Sequence, residues 1–183
     1  VADTDAKACV LAHRDELTGT MSRRAILSAA RDCGTRARAR GEPLGLMILD
    51  IDKFKKVNDD LGHFAGDKVL KEFCRRIESQ LRDTDCLGRL GGEEFLVVLP
   101  DTSPSECVAR AERMRTLLSA TPITVEDEDI SLTMSVGATD YRDGDTMDEA
   151  FARADRLLYR AKELGRDRTI AEFLDDPSEP AGR

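Results

Sequence analysis

The sequence predicts an α+β domain, and three observations lead to that fold class. A glycine pair at residues 91–92 lies between two apolar segments, which is typical of a β-hairpin. A continuous apolar run at residues 44–51 is typical of a buried strand. Amphipathic stretches with helical periodicity precede and follow both features. Strands and helices therefore alternate irregularly along a chain of 183 residues, which suits one domain with an ordinary core.

The first half of the chain predicts a helix, a strand and a second helix. Residues 21–40 place apolar side chains at helical spacing, and a Gly-Glu-Pro sequence ends that helix. Residues 44–51 form the predicted strand, whose C-terminal end carries Asp50 and is followed by Asp52. Residues 65–81 place their apolar side chains on one stripe, which predicts the second helix.

The second half predicts a hairpin followed by two more helices and two more strands. The hairpin covers about residues 85–99, and Pro104 begins a helix that extends to about residue 119. Residues 130–138 alternate apolar and polar side chains, which predicts a strand with one buried face. Residues 146–164 predict a further helix, and residues 169–174 predict an edge strand.

The two ends of the chain differ from this central part. Residues 1–13 are expected to be the end of a connecting helix, which extends to about residue 17, and residues 14–174 to be the domain. The acidic, proline-containing tail at residues 175–183 is expected to be disordered. Because the chain begins at Val1 rather than at Met, we expect a longer protein with another domain upstream.

Composition excludes several classes of protein. The net charge is −8 and the pI about 4.9, so the basic surface typical of a duplex nucleic-acid binder is absent. No apolar run approaches the ~20 residues of a membrane span, and no segment of the given sequence has the pattern expected of a signal peptide. The five cysteines are scattered, odd in number and form no CxxC pair. They predict reduced thiols in a cytoplasmic protein rather than disulfides or a zinc site.

The hairpin tip, Gly91-Gly92-Glu93-Glu94-Phe95, carries the most specific chemistry. A turn without side chains lets a ligand approach the backbone closely, and two adjacent carboxylates suit a hard metal ion. A plain Gly-Gly turn with two solvated glutamates fits the pentapeptide equally well.

Asp50-Ile51-Asp52 is a second candidate for cation binding. Carboxylates at the end of a buried strand can hold Mg²⁺ together with substrate phosphates. By itself, however, this tripeptide fits a helix N-cap or a solvated loop better. The three lysines at positions 53, 55 and 56 suit polyphosphate, and amides that open a helix at Phe54 can add anion binding.

Polar residues after these lysines can recognise a base. Asn58 and Asp67 can bind a purine, since a carboxylate accepts two parallel hydrogen bonds from the N1–H and amino group of guanine. His63 fits a nucleotide contact and a helix-entry residue equally well. Lys162 and Arg166 follow at the end of the last helix, where cations favour the helix dipole or can reach phosphates.

These motifs together resemble the GGDEF family, the diguanylate cyclases. Their order and spacing match the family from about residue 13 to residue 173. The matching segments are Asp15-Glu16-Leu17-Thr18-Gly19, Arg23-Arg24, Asp50-Ile51-Asp52-Lys53-Phe54-Lys55, Asn58-Asp59, Gly62-His63, Gly66-Asp67, Arg89-Leu90-Gly91-Gly92-Glu93-Glu94-Phe95, Ala111-Glu112-Arg113, Ser135-Val136-Gly137, Ala154-Asp155 and the run from Tyr159 to Arg166.

The resemblance implies a fold and a reaction. The implied fold is a central, mostly antiparallel, five-stranded sheet flanked by helices, similar to the palm of nucleotidyl cyclases and polymerases. The implied reaction condenses two GTP into cyclic di-GMP with release of two pyrophosphates. It implies two Mg²⁺ or Mn²⁺ ions per active site, a homodimer for catalysis and an upstream sensory domain. Contacts with nucleic acid or membrane are not expected of this domain.

The resemblance also implies roles for individual residues. Those implied to bind metal are Asp50, the Ile51 carbonyl, Glu93 and Glu94, and Glu93 is also the candidate for assisting deprotonation of the 3′-hydroxyl. Those implied to bind the guanine are Asn58 and Asp67, with His63 close by. Those implied to bind or accommodate the phosphates are Lys53, Phe54, Lys55, Lys162, Arg166, Gly91 and Gly92. Because adenine-accepting members have a small hydroxyl residue in place of Asp67, its carboxylate favours GTP.

A regulatory site is implied by the sequence Arg82-Asp83-Thr84-Asp85, which matches the family's inhibitory RxxD motif. Arg82 and Asp85, with Arg113 from a neighbouring helix or a neighbouring domain, are implied to bind the cyclic di-GMP product away from the active site. Two positions depart from the family pattern: Ser22 replaces the usual Asn, and Asp167 follows Arg166 where Asn is common. The alternative function is a catalytically silent domain that binds GTP or cyclic di-GMP. Since such members typically lack one of the acids present here, the enzyme is favoured.

Overall fold

The computed structural model describes residues 13–174. Its helices are α1 (Arg23–Arg40), α2 (Phe54–Glu78), α3 (Pro104–Ala120) and α4 (Met147–Glu163). Its strands are β1 (Leu44–Ile51), β2 (Cys86–Gly91), β3 (Glu94–Pro100), β4 (Ile123–Val125), β5 (Glu128–Ile130), β6 (Met134–Asp140) and β7 (Thr169–Glu172). Five strands form one sheet in the order β2-β3-β1-β6-β7, and β4 pairs with β5 in a separate hairpin.

The main sheet is antiparallel except at one edge. β2 pairs with β3, β3 with β1 and β1 with β6 in antiparallel register, whereas β7 joins β6 in parallel. β1 lies in the centre and all eight of its residues are buried, which explains its continuous apolar sequence. The predicted α+β fold with a five-stranded, mostly antiparallel sheet is confirmed.

Helices cover both faces of the sheet. In β1, Met47 and Leu49 pack on one face with α2 and α3, while Leu46 and Ile48 pack on the other face with α1 and α4. Successive side chains of a strand point to opposite faces, so the alternation divides the core into two layers. As Asp50 has the same parity as Leu46 and Ile48, it belongs to the face that α4 covers.

Two predicted elements differ from the structure. α2 joins the helix that opens at Phe54 to the one predicted over residues 65–81 and ends at Glu78, and a kink at Gly62 (φ 80°, ψ 165°) separates its two segments. Glycine adopts this conformation without a steric penalty, so the chain turns there and continues as helix. The strand predicted over residues 130–138 is wrong at its start, because Ile130 ends β5 and β6 begins at Met134. Its single buried face is also wrong, since β6 lies inside the sheet and is buried on both faces.

The predicted connecting helix lies mostly outside the described residues, as does the predicted disordered tail. Residues 13–17 are described and form turns, and Arg14 makes an isolated bridge to Met21. Ser22, one of the two departures from the family pattern, caps α1 by accepting a hydrogen bond from the Ala25 amide. Within residues 13–174, no helix combines the length and apolar character that a membrane crossing requires.

Candidate active site

The C-terminal end of β1 lies between acidic and hydroxyl side chains of its two neighbours. Asp50 pairs in register with Glu94 of β3 on one side and with Ser135 of β6 on the other. Asp50 is only 5% exposed, whereas Glu94 is half-buried. The antiparallel register therefore brings together two carboxylates that are 44 residues apart in the chain, 94 minus 50.

Lys162 of α4 offsets part of the negative charge of this carboxylate pair. Its Nζ donates a hydrogen bond to Asp50 Oδ2 at 2.7 Å and lies 3.7 Å from Glu94 Oε1. Burial nevertheless raises the pKa of Asp50 to about 6; the bond from Lys162 acts against that rise, and the charges of Glu93 and Glu94 add to it. Asp50 is thus ionised at neutral pH in a place where negative charge is in excess, an arrangement that attracts a further cation.

The hairpin tip lies against the end of β1. Gly91 pairs with Glu94, so the turn itself consists of Gly92 and Glu93, one residue later than the glycine pair predicts. Gly92 has a φ of 53°, a conformation that favours glycine. The Ile51 amide donates to the Glu93 carbonyl at 3.4 Å, which joins the turn to the strand end. Gly91 and Gly92 are exposed, as a site of close backbone approach requires.

Arg89 stabilises the hairpin turn by hydrogen bonds, a role that the sequence did not reveal. Its Nε and Nη2 donate to the Gly92 carbonyl at 2.9 and 2.7 Å, and its Nη1 pairs with Asp15 at 3.2 Å. The planar guanidinium bonds the turn and the N-terminal segment at once. The presence of an arginine just before a glycine turn was the available signal, but it did not identify the partners.

Unlike Asp50, Asp52 lies among hydrogen-bond donors and connects parts of the fold. Its Oδ1 accepts from Ser135 Oγ at 2.7 Å, and its Oδ2 accepts from Thr133 Oγ1 at 2.7 Å and the Asp167 amide at 3.0 Å. Three donors satisfy this buried carboxylate, so it joins β1 to the β6 entry and to the segment after α4. Asp167, the second departure from the family pattern, takes part through its backbone.

The residues predicted to bind phosphate lie around the start of α2. Lys53 has a left-handed conformation (φ 57°), and α2 begins at the next residue, Phe54. No side chain within the described residues caps the amides there, which leaves the helix N-terminus suited to an anion. Lys53 and Arg166 line one cavity of about 640 Å³, and Lys55 is exposed. Lys162 is instead bound to Asp50.

The residues predicted to bind guanine lie farther along α2. Asn58 packs against Gly66, because a Cβ at residue 66 would lie 1.9 Å from Asn58 Oδ1 and 3.2 Å from the Phe54 ring. The kink at Gly62 precedes His63, and both His63 and Asp67 are exposed. Close approach at Gly66 thus positions the Asn58 amide between the two segments of α2. No described contact joins Asn58 to Asp67.

The donor set fits a hard divalent cation that arrives with a ligand. Within residues 13–174, no three His, Cys, Asp or Glu side chains converge so as to hold a metal by themselves. Mg²⁺ usually takes one or two protein carboxylates and completes its shell with substrate phosphates and water. Asp50 and Glu94 already converge on the ammonium of Lys162, which shows that a cation fits between them.

The RxxD sequence lies beside a second cavity of about 840 Å³, away from Asp50. Arg82 pairs with Glu106 of α3, and Asp85 pairs with Arg110 in a contact whose side chains are 0% and 2% exposed. Arg113, predicted to join this site, is exposed one helical turn beyond Arg110. α3 therefore supplies Glu106 and Arg110, two residues that the sequence did not single out.

Comparisons with known proteins find relatives in sequence and in fold. Residues 12–168 match the family model described as "Diguanylate cyclase, GGDEF domain". The chain is 43% identical over 154 residues to the diguanylate cyclase DgcP of Pseudomonas aeruginosa, covering 84% of this chain and 23% of that protein. It is 39% identical over 165 residues to the response regulator PleD of Caulobacter vibrioides, covering 88% of this chain and 36% of that protein.

Solved structures of similar fold include complexes. The diguanylate cyclase SiaD of Pseudomonas aeruginosa, solved with its activator SiaC, superposes with a TM-score of 0.86 at 40% identity, covering 93% of this chain and 66% of that one. The GGDEF domain of DgcB from Caulobacter crescentus, solved with c-di-GMP, gives a TM-score of 0.85 at 31% identity, covering 87% and 93%. The chain spans about a quarter to two fifths of the curated relatives DgcP and PleD.

Proposed function

This chain belongs to the GGDEF family of diguanylate cyclase domains, and from that premise we propose that it condenses two GTP into cyclic di-GMP and two pyrophosphates. The observation that carries the proposal is the cluster of Asp50, Glu94 and Lys162 at the hairpin, with Asp50 Oδ2 2.7 Å from Lys162 Nζ. A catalytically silent domain would retain the fold without any need for these three charges at one point.

The proposed metal site uses Asp50, Glu93, Glu94 and the Ile51 carbonyl. Because the pKa of Asp50 is about 6, this carboxylate is ionised at neutral pH and available as a ligand. Two Mg²⁺ or Mn²⁺ ions, when bound, would stabilise charge on the attacking and leaving oxygens. Glu93, in the turn itself, is the proposed acceptor of the proton from the 3′-hydroxyl.

The proposed nucleotide site extends from the hairpin along α2. Lys53 and Lys55, the amide of Phe54 and the guanidinium of Arg166 would bind the phosphates, and Lys162 would exchange its bond with Asp50 for a phosphate oxygen. Asn58 and Asp67 would bind the guanine edge, with His63 beside it. The carboxylate at residue 67 selects guanine because it accepts from two adjacent donors that adenine does not present.

The proposed reaction needs two copies of the domain. Each copy would hold one GTP, and the 3′-hydroxyl of each nucleotide would attack the α-phosphate of the other, with pyrophosphate leaving. Activity should therefore rise more steeply than linearly with protein concentration while the dimer is sparsely populated. At the RxxD sequence, Arg82, Asp85 and Arg113 would bind the product and inhibit the enzyme.

The experiment is incubation of the purified protein with GTP and Mg²⁺, followed by chromatography and mass analysis of the products. Glu93→Gln is the test variant, because it removes the carboxylate and keeps the size of the side chain. Glu42→Gln is the matched control, since Glu42 is exposed at the opposite end of β1 from Asp50. We expect cyclic di-GMP from the wild type and from Glu42→Gln, and its loss in Glu93→Gln.

Two results would contradict the proposal. Synthesis that persists in Glu93→Gln would remove this residue from the chemistry. GTP binding without product at high concentration of wild-type protein freed of bound nucleotide would favour the binding-module alternative. Thermal unfolding of both variants shows whether a loss of product reflects loss of the fold.

A further inference from the structure

Two cysteines, Cys33 of α1 and Cys86 of β2, lie where this helix packs on this strand. A Cβ at Gly88 would lie 2.3 Å from Ile26 Cβ, which shows how closely helix and strand approach. Cys33 follows Ile26 by two helical turns, and Cys86 precedes Gly88 by two residues, so each shares a face with its neighbour. Cys33 lies in the core layer beneath α1, the Cys86 side chain packs against the same layer, and Thr84, two residues before Cys86, lines one cavity with Cys33.

The two thiols differ in their surroundings. Arg36 Nη2 donates to Cys33 Sγ at 3.1 Å. The bond from Cys86 and the charge of Arg36 lower the pKa of Cys33 to about 6, against burial and the charge of Asp32. The bond to Cys33 and burial raise the pKa of Cys86. Cys33 is therefore the more easily ionised of the two and Cys86 the one that keeps its proton, the pairing found in reactive dithiols.

Cys33 is only 3% exposed, but it borders a cavity through which a small reagent would approach. Cys33 and Arg36 line a cavity of about 310 Å³ together with Arg40 and Thr84, and Cys86 is half-buried. The other two described cysteines provide a contrast, because burial raises the pKa of Cys74 and of Cys107 to about 12. All four described cysteines are free thiols, as the sequence predicts.

We propose that Cys33 and Cys86 form a peroxide-sensitive dithiol that closes into an intramolecular disulfide. The Cys33 thiolate attacks one oxygen of a hydroperoxide, the O–O bond breaks, and the leaving hydroxide takes a proton to become water. The Cys86 sulfur then attacks the resulting sulfenic acid, the S–O bond breaks, and the Cys86 proton leaves with the hydroxide as a second water. Two thiols and one H₂O₂ thus give one disulfide and two waters.

The proposal goes beyond cyclase activity and does not depend on it. Oxidation would link α1 covalently to the first residue of β2, the strand that leads to the Gly91-Gly92 tip. Cys86 also directly follows Asp85 of the RxxD sequence. The disulfide would therefore join α1 to the segment that connects the RxxD sequence with the hairpin tip.

The test is a peptide map of the whole protein after treatment with a small excess of hydrogen peroxide. Residual thiols are alkylated under denaturing conditions before digestion with trypsin. Each of the five cysteines falls on its own tryptic peptide, with Cys33 on residues 32–36 and Cys86 on residues 83–89. We expect these two peptides linked, about 2 Da below the sum of their reduced masses, and separated again by dithiothreitol. Cys74, with its raised pKa, should remain alkylatable and serves as the internal control.

Variants test the order of the two steps. In Cys86→Ser, sulfenic acid should accumulate on Cys33 and be trapped by dimedone, whereas Cys33→Ser should give no trapped product on Cys86. Arg36→Gln should form the linked pair at least about threefold more slowly, because it removes the donor that stabilises the thiolate.

The outcomes that would overturn the proposal are distinct. Peroxide-treated wild type in which residues 32–36 and 83–89 appear only as separate alkylated or over-oxidised peptides would exclude the disulfide. A linked pair found only in a species that migrates as a dimer on a non-reducing gel would exclude its intramolecular character. Trapping on Cys86 rather than Cys33 would exclude Cys33 as the attacking group. Because the map uses the unaltered protein, a variant that fails to fold does not obscure the result.

Discussion

Replacing Asp50 by Asn should stabilise the folded protein at neutral pH while removing a proposed metal ligand. Asp50 is nearly buried among acidic neighbours, and its pKa is raised from an ordinary 3.8 to about 6 in spite of the bond from Lys162. A raised pKa means that the fold disfavours the ionised form. The amide has the same shape and no charge, so the variant avoids that cost.

The magnitude follows from the pKa difference. From 3.8 to about 6 is roughly 2 pH units, and each unit corresponds to about 1.4 kcal/mol, which gives about 3 kcal/mol above pH 6. The sign is set by proton binding, because between pH 4 and 6 the folded state holds a proton that the unfolded state has released. The contribution of Asp50 to stability is thus present at low pH and is lost as pH rises through 6.

The assay is urea unfolding of wild type and variant in the presence of a chelator at several pH values. At about pH 7.5 we expect Asp50→Asn to be more stable by about 2–3 kcal/mol, which corresponds to a melting temperature higher by roughly 5–10 °C. Near pH 4 the two proteins should be about equally stable, since both side chains are then neutral. Added Mg²⁺ should stabilise the wild type more than the variant.

The matched control is Asp52→Asn. Asp52 is as buried as Asp50, but its oxygens accept from Ser135, Thr133 and a backbone amide. Loss of these charge-assisted bonds should destabilise the protein by about 1–3 kcal/mol, the opposite sign. The reasoning is refuted if Asp50→Asn is also less stable than wild type at pH 7.5, or if the difference between them does not change with pH.

Three further substitutions should act on the fold in different ways. Gly137→Ala should destabilise by at least about 2–3 kcal/mol in urea unfolding, because the new Cβ would lie 2.1 Å from the Ala154 carbonyl and push α4 away from β6. Arg110→Met should cost about 3–5 kcal/mol by leaving buried Asp85 without its cation. Thr146→Ala should cost about 1 kcal/mol by removing the capping box of α4, measured as a lower melting temperature.

Each of these predictions has a control. Arg82→Met removes the exposed partner of Glu106 and should change stability by less than about 1 kcal/mol, so equal effects of Arg82→Met and Arg110→Met would contradict the role of burial. Gly144→Ala is the control for Gly137→Ala. A Cβ at residue 144 would meet no atom within 4 Å, so this substitution adds only the backbone strain of a side chain at a φ of 85°. Gly137→Ala should be the more destabilising of the two glycine variants. Thr146→Ser keeps the hydroxyl and should retain most of the capping energy.

The sequence determined the elements whose signals are local. The bounds of β1 follow from its apolar run and agree with the structure, and α3 and α4 agree within one residue at each end. Such signals depend on neighbours within a few residues, through helical or strand periodicity and through caps such as Ser103 and Thr146. The family, and with it a five-stranded, mostly antiparallel sheet, follows from motif spacing along nearly the whole chain, whereas the order of the strands is known only from the structure.

Local signals did not predict where one element ends and the next begins in two segments of the chain. The alternation over residues 130–138 passes without a break from β5 to β6, although the two strands belong to different sheets. The sequence indicated a helix opening at Phe54 and a helix from residue 65 but not their union into one element, because Gly62 interrupts the periodicity between them. In both segments, packing against the sheet decides the outcome.

Only the tertiary structure decided which charges meet. Lys162 and Asp50 are 112 residues apart, and their contact requires α4 to cross the end of β1. The sequence showed two similar aspartates at residues 50 and 52, yet one faces an acidic cluster with a raised pKa and the other accepts three hydrogen bonds. The physical reason is that the free energy of a charge depends on its burial and its partners, which strand register and helix packing determine. Residue type alone determines that a charge can be present, and the fold determines what it costs and which group it binds.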